Sequence, residues 1–514
     1  MIQPPTPLVQ PLASRHWPAA SLDLVWVVMP VALIWFFVSV TPMPPNDLWW
    51  HMAAGRAMID EQQIISDNRW AYSLPADTPY VYQSWLSEII MYGAWQLGGV
   101  PLLAMLRLLA ISGAYAIIGW HALRRAGGRA AALSLIVAAL VGWSNWTLRP
   151  QTLALPVGAA FVALLSAYLD GRLRARWLAV LPLLMLAWVN LHGSFVLGLA
   201  LVGAAWAGTL CDMLGPDPAQ RPKRPALGPL SFAALATALA CLANPLGLGI
   251  VGYLRTMLTN PPLQRLFVEW QPPRLSLDLI SSGFWFYAML LLLVVLMARG
   301  RARPSATDLL WYCGLAWLAL GGVRYVMWFG LLLAPLLAQR IALLGRETER
   351  TPVRSGFSSL LLVLLSISML ATLPWLGPAR ALGLSQAAVD PPPSLERSLL
   401  DRTNPLDASA WLAANPIGGR FWTDLGYSSY TIWAIPNLQV FSDLRVELFP
   451  EPIWRDYFAI GRGDAASLAL IERWQISHFM LSRDGQASLI TLLTTTPGWC
   501  RPYEDEVTTI IARC

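Results

Sequence analysis

The sequence predicts an α-helical multi-pass membrane bundle of about eleven transmembrane helices, followed by a small α/β extracytoplasmic domain. Three observations carry this. Of the 514 residues, 56% are hydrophobic and 13% charged, whereas a soluble protein carries about 25% charged residues. Apolar runs of spanning length recur through the first 374 residues. Beyond about residue 405 the composition becomes that of a soluble domain.

Residues 1–21 are polar and proline-rich, with Arg15 and His16. The run Leu22–Val40 exceeds the apolar part of a signal peptide, so it reads as a retained first helix. Further runs lie near 101–123, 130–147, 151–169, 178–192, 194–211, 229–245, 281–298, 307–322, 325–343 and 356–374. With the N-terminus cytoplasmic, the inner loops hold Arg124, Arg125 and Arg129, then Arg172, Arg174 and Arg176, then Arg221, Lys223 and Arg224. They end with Arg299, Arg301 and Arg303, and with Arg346, Arg350 and Arg354. Every inner loop is positive, as the positive-inside rule requires. The net charge of +6 is therefore a topology signal and not a nucleic-acid footprint. Counting "QSWLSEIIMYGAWQLGG" (83–99) as a span would turn the next arginine cluster outward. It is expected instead as an amphipathic helix at the outer interface, anchored by Trp85 and Trp95.

The predicted units are thus a bundle over 1–374 with a first outer loop 42–100, a proline-rich linker over 375–404, and an exported domain over 405–514. In that domain "DASAWLAAN", "AASLALIERW" and "QASLITLLTT" read as helices, "GRFWTD", "LQVFSD" and "ISHFML" as strands, and the last residues as a strand pair. Cys211, Cys241 and Cys313 fall in or beside spans and read as small apolar residues. Cys500 and Cys514 flank a candidate hairpin, and a disulfide between them is left open. No pair of cysteines or histidines has zinc spacing.

The unusual polar residues gather on one side of this topology. Asp47, His51, Arg56, Asp60, Glu61, Asp67, Arg69 and Glu88 lie in the first outer loop. "NWTLRPQ" (145–151), "VNLHGSF" (189–195), "NPLG" (244–247), "LRTMLTNPPLQRLFVEWQPP" (254–273) and "GGVRYV" (321–326) lie at other outer ends. Polar groups near membrane depth are costly and normally line a cavity or a site. One extracytoplasmic pocket between helix ends is the expectation. Each residue also has a structural reading. Asp47 can cap the helix that follows it. His192 can be an interfacial histidine with its partners satisfied, Arg149 and Arg324 can snorkel or pair with acids, and the tryptophans can form an interface belt. Together, a carboxylate able to take a proton, arginines able to neutralise a phosphate and an apolar cavity suit transfer of a sugar from a lipid-linked phosphate donor.

"DLWWHMAAGRAMIDEQQIISDNRWAYS", "QSWLSEIIMYGAWQLGG", "LRPQ", "NLHGSF" and "NPLG", with the tail "GRFWTDLGYSSYTIWAIPNLQVFSDLRVELFP", resemble the GT-C superfamily of integral membrane glycosyltransferases, within it a group of bacterial multi-pass proteins with an exported C-terminal domain. The resemblance implies an inverting glycosyltransferase of the bacterial inner membrane. The donor is a polyprenyl-phosphate-linked sugar, and the acceptor is a glycan, a lipid or a protein. The family's acid in the first outer loop matches Asp47, as general base or metal ligand, and its later acid best matches Asp67. Arg149, His192 and Arg324 are implied donor-phosphate contacts by location, and His51, Arg69 and Glu88 complete the candidate binding set. Members with two adjacent acids in this loop are common, but the neighbour of Asp47 is Asn46, so a divalent metal (Mg or Mn) is left open. In "FSDLR", Asp443 and Arg445 are expected to satisfy each other as an ion pair. The alternative function is a non-catalytic membrane scaffold whose tail recruits envelope partners. A transporter fits less well, because the charges collect at one face and no two similar halves appear.

Overall fold

The computed structural model describes residues 19–214, 226–260, 265–300, 302–345, 353–382 and 394–514. Arg15, His16, Arg221, Lys223, Arg224, Arg301, Arg346, Arg350 and the middle of the expected linker lie outside the described residues.

The chain is a multi-pass helical protein, and each of the eleven expected runs lies on a helix. Among the described residues, seven helices are long and apolar enough to cross a membrane: Leu22–Val40, Trp85–Ala126, Gly128–Asn145, Pro150–Leu169, Gly193–Leu214, Ser282–Arg299 and Val323–Ala342. Ala175–Leu191, Leu227–Ala240 and Gly356–Ala371 are shorter apolar helices, and Ala306–Gly321 is a helix with a capping box of Ser305 and Asp308. Helix Val326–Ala342 is buried along nearly its whole length. Small residues let neighbours reach it: a side chain at Gly330 would meet Val141, and one at Gly158 would meet Trp328. At the arginine-rich end, Asp308 sits between Arg125 at 3.5 Å and Arg340 at 3.3 Å.

The segment 83–99 departs from its expectation. Its helix begins at Trp85 and continues into the span through a kink at Gly98 and Gly99, where Gly99 has φ 59° and ψ −154°. That conformation is open only to glycine. The two expected anchors pack on protein: Trp85 donates its indole N–H to Asn190 (2.9 Å), and the Trp95 ring lies 4.8 Å from that of Trp433 in the tail. Inward-facing Ser87 and Glu88 are buried, which a helix afloat at an interface would not do.

The tail carries a four-stranded sheet of order β3-β4-β6-β5, with β3 Arg420–Thr423, β4 Ile476–Ser482, β5 Trp499–Glu504 and β6 Thr508–Arg513. The other two strands, β1 Ala20–Ser21 and β2 Arg354–Ser355, form a short antiparallel pair beside the bundle. In the tail β3 runs parallel to β4, while β6 is antiparallel to both β4 and β5. Cys500 and Cys514 are disulfide-bonded across the β5–β6 hairpin. The expected strand "LQVFSD" is not one: Val440 makes only isolated bridges, to Ala71 and Phe421, because the chain turns at Asp443 to make the Arg445 ion pair. The helices Leu425–Ala434 and Glu451–Gly461 were not anticipated.

One hydrophobic core joins the first loop to the tail. Leu48, Trp49 and Met52 of helix Leu48–Glu61 pack with Phe421, Tyr427, Ile432 and Trp433. Burial of this much aromatic surface is worth several kcal/mol, at roughly 1.5–3 kcal/mol per large side chain. Beneath it, Arg445 is fully buried against Asp443 (2.7 Å) and also donates to Tyr82 Oη and Asn68 Oδ1, each at 3.0 Å. The ion pair expected from "FSDLR" thus ties the tail to the first loop.

Candidate functional site

Asp47 stands at the N-terminus of helix Leu48–Glu61, yet its side chain makes no capping hydrogen bond. Asn46 Oδ1 takes the Leu48 N–H instead, at 3.1 Å, and the hydroxyl of Ser429 takes the Trp50 N–H, at 3.0 Å. Asp47 itself has helical backbone angles (φ −53°, ψ −24°), so Asn46 is the capping residue and the Asp47 carboxyl is not engaged by the helix. It opens into a cavity of about 210 Å³ lined by the first loop, several helix ends and the tail.

Six of the eight residues singled out from the sequence line this one cavity: Asp47, His51, Glu88, Arg149, His192 and Arg324. They come from four widely separated stretches, and side-chain-to-backbone bonds hold those stretches together. Gln83 donates to Val189 O, Ser87 to Leu191 O, and Gln151 to Arg324 O. Asp67 and Arg69 are not brought there. Asp67 bonds Arg69 (2.8 Å), and Arg69 also grips Glu61, on the outside of the loop.

Arg149 is the electrostatic centre. Its Nη1 lies 2.9 Å from Glu269 Oε1 and 3.8 Å from Asp47 Oδ2, and its Nη2 donates to Asn145 Oδ1 at 3.3 Å. Arg324 forms no ion pair among the described residues; its guanidinium stacks 4.3 Å from the centre of the Trp270 ring. Burial pushes the Asp47 carboxyl up to about 6, with Glu269 and Glu447 adding to the rise and Arg149 and Arg324 opposing it. Arg149 holds Glu269 below its ordinary range. Two neighbouring acids are thus pushed apart, one poised to exchange a proton and one fixed as a counter-ion.

The two histidines are neutral. Burial lowers His51 first, with His192 and Arg149 adding, and lowers His192 first, with Arg324 and Arg149 adding. His51 Nδ1 lies 2.8 Å from Glu88 Oε1. His192 Nδ1 accepts from the Ser194 N–H (3.1 Å), so its proton sits on Nε2 and makes it a donor.

Sequence reasoning singled out none of five further polar or aromatic lining residues that bear on the chemistry. Tyr80, Tyr253, Glu269, Trp270 and Glu447 all face the cavity, and Tyr80 Oη donates to Glu447 Oε1 at 2.7 Å. Glu269 and Trp270 lie within a stretch already marked as polar and outer, but nothing in the sequence pairs them with Arg149 and Arg324. The acids here alternate with arginines, and no group of three or more His, Cys, Asp or Glu among the described residues could hold a metal ion.

No family model matches the chain, and no curated protein matches it significantly. Among solved structures it is similar to the oligosaccharyltransferase of Archaeoglobus fulgidus in the apo form, at 12% identity over 92% of this chain and 71% of that one, with a TM-score of 0.53. The same protein, tethered through a disulfide to an acceptor peptide with the NVT sequon, is 13% identical over 95% and 74%, at 0.50. ArnT from Cupriavidus metallidurans in the apo state is 16% identical over 96% of this chain and 98% of that one, also at 0.50. At such identities the likeness is one of architecture, and it covers nearly the whole chain: the protein shares its fold with the oligosaccharyltransferase and with ArnT.

Proposed function

We propose that the chain is an inverting membrane glycosyltransferase that moves a sugar from a polyprenyl-phosphate-linked donor to a glycan, lipid or protein acceptor outside the cytoplasm. The observation that carries this reading is the uncapped Asp47 carboxyl sharing one cavity with Arg149 and Arg324. The positive charge of the alternate loops supports a cytoplasmic N-terminus, with the cavity and tail outside the cytoplasm, in a bacterial inner membrane.

The acceptor hydroxyl or amine attacks the anomeric carbon from the face opposite the phosphate. A bond forms from the acceptor atom to that carbon, and the carbon–oxygen bond to the phosphate breaks. Asp47 takes the acceptor proton, for which a carboxyl near 6 is suited at neutral pH. The phosphate leaves with the bonding electrons, and its charge is met by the guanidinium of Arg324 and by Arg149, which exchanges part of its contact with Glu269 for it. The His192 Nε2–H is a further donor to the phosphate oxygens.

Protein purified into lipid, a panel of labelled polyprenyl-phosphate sugars and cell-envelope extract test this directly. Label moves into a product with wild-type protein and not with Asp47→Asn. Equal transfer by both removes Asp47 from the mechanism.

A further inference from the structure

Four acids line the cavity: Asp47, Glu88, Glu269 and Glu447. Asp47 and Glu269 face Arg149 at 3.8 and 2.9 Å, and Glu88 bonds His51 at 2.8 Å. Glu447 differs. It belongs to the tail and has no cationic partner among the described residues. Its Oε1 accepts from the Tyr80 hydroxyl at 2.7 Å, and none of the described residues bonds its other oxygen.

This side chain is held from two sides. Tyr80 packs edge-on against Tyr82 and Trp50, with ring centres 4.7 and 6.4 Å away. Two residues before Glu447, Arg445 is locked by Asp443, Tyr82 and Asn68. The tail thus delivers an oriented carboxyl group to the cavity wall, flanked there by Leu444 and Val446. Beside it is a second uncommitted group. Tyr253, on helix Gly249–Thr259, also faces the cavity, and its hydroxyl has no hydrogen-bond partner among the described residues. Burial raises this hydroxyl above its usual range, Glu447 adds most among the charges, and Arg324 opposes. Both charged groups therefore lie close to Tyr253. On Asp47, Arg149 and Arg324 each act more strongly than Glu447, which puts Glu447 at the end of the cavity away from the base.

A carboxylate repels a phosphate and accepts hydrogen bonds from hydroxyl groups. In a lipid-phosphate sugar, the part that offers hydroxyls is the sugar. We propose that Glu447 reads the transferred sugar: its free oxygen accepts from a sugar hydroxyl while Arg149 and Arg324 hold the phosphate, with Tyr253 as a second polar contact. This rests on the reading of the cavity as the site of a lipid-phosphate sugar donor. The sugar is one without a carboxylate of its own at that end, since like charges facing each other there repel. The tail is in this way a specificity element of the site.

Binding tests this without an acceptor. Purified protein is titrated with polyprenyl phosphate and with the polyprenyl-phosphate sugar that wild-type protein transfers. Glu447→Ala weakens binding of the sugar-linked lipid by about tenfold, the scale of one hydrogen bond to a charged group. It leaves binding of bare polyprenyl phosphate unchanged or tightens it, because a repelling charge is gone. Arg324→Gln weakens both. In transfer assays Glu447→Ala raises KM for the donor by the same factor while kcat changes little. Should Glu447→Ala fail to accumulate, Glu447→Gln, which keeps a weaker, uncharged acceptor, carries the comparison at a smaller factor. Equal losses for the two lipids, or none for either, overturn the role of Glu447 while Arg324→Gln still reports the donor. Wild-type transfer of a hexuronic acid in preference to a neutral hexose overturns it too. If wild-type protein binds neither lipid, the donor reading falls, and the role of Glu447 with it.

Discussion

Asp47→Asn should make the protein more stable at neutral pH while stopping turnover. The carboxyl is pushed from 3.8 to about 6 by burial in the cavity wall, so the folded state prefers it protonated. At 1.36 kcal/mol per pKa unit, a shift of about two units corresponds to about 3 kcal/mol of destabilisation from holding it ionised. The side chain is 31% exposed to the cavity, and water there screens it, so roughly 1–2 kcal/mol is the realistic figure. The sign follows from the raised value. Below the unfolded pKa the carboxyl is neutral in both states and the folded protein bears no penalty. The penalty grows as pH rises from about 4 to about 6 and is complete above that. Asparagine is nearly isosteric and never ionises, and Arg149 keeps Glu269 as its partner at 2.9 Å.

The expected result is therefore a gap between variant and wild type that depends on pH. Thermal unfolding in one detergent at one scan rate should give equal midpoints near pH 4. By pH 7.5 the variant should lead by about 1–3 °C, the low end of what such an energy gives in a large chain. A variant less stable than wild type at pH 7.5 would mean that the 3.8 Å contact to Arg149 outweighs burial. The picture of a carboxyl poised near 6 would then be wrong, and with it the argument that Asp47 is tuned as a base.

Wild-type transfer should rise with pH through an acidic limb near 6 as Asp47 ionises; a rate that is flat from pH 5 to 8 removes that assignment. Arg324→Gln should cost about 10²-fold in turnover with only a small drop in midpoint, since it loses the stacking on Trp270 but no ion pair among the described residues; Arg149→Gln should lower both markedly, because it strands Glu269. Asp443→Ala should lower stability by about 3–5 kcal/mol by leaving the buried Arg445 charge unpaired, and should expose the tail to limited proteolysis. Asp67→Asn and Arg69→Ala should leave transfer rates unchanged, since both sit outside the cavity; a large loss in either would place substrate along the outer face of the loop.

The sequence was readable where its signal is local. Apolar length marks a span wherever it occurs, and all eleven runs found that way are helices. Arg149, His192 and Arg324 could be grouped because alternating crossings put turns at one end of a bundle. The failures have the opposite character. Asp67 and Arg69 seemed to belong with Asp47 because they are near it in the chain, yet helix Leu48–Glu61 carries the chain away and Glu61 closes on Arg69. Glu447 and Tyr80, which do meet at the cavity, are 367 residues apart, and no periodicity reports such a pairing. "LQVFSD" has the β-branched and aromatic residues of a strand, but Val440 makes only isolated bridges to Ala71 and Phe421 and no ladder forms.

The same distinction decides how Asp47 is to be understood. From sequence alone, Asn-Asp before an apolar helical run is a capping signal, and an aspartate used as a cap is a poor base: its oxygens are engaged and its pKa falls. Local sequence therefore argues against the role of base proposed for Asp47. Two acceptors resolve the conflict, Asn46 on the Leu48 N–H and Ser429 on the Trp50 N–H. The first is local and the second belongs to the tail. The Asp47 carboxyl thus has no part in starting the helix: Asn46 caps it, and a buried hydroxyl from a separate part of the fold takes the Trp50 N–H.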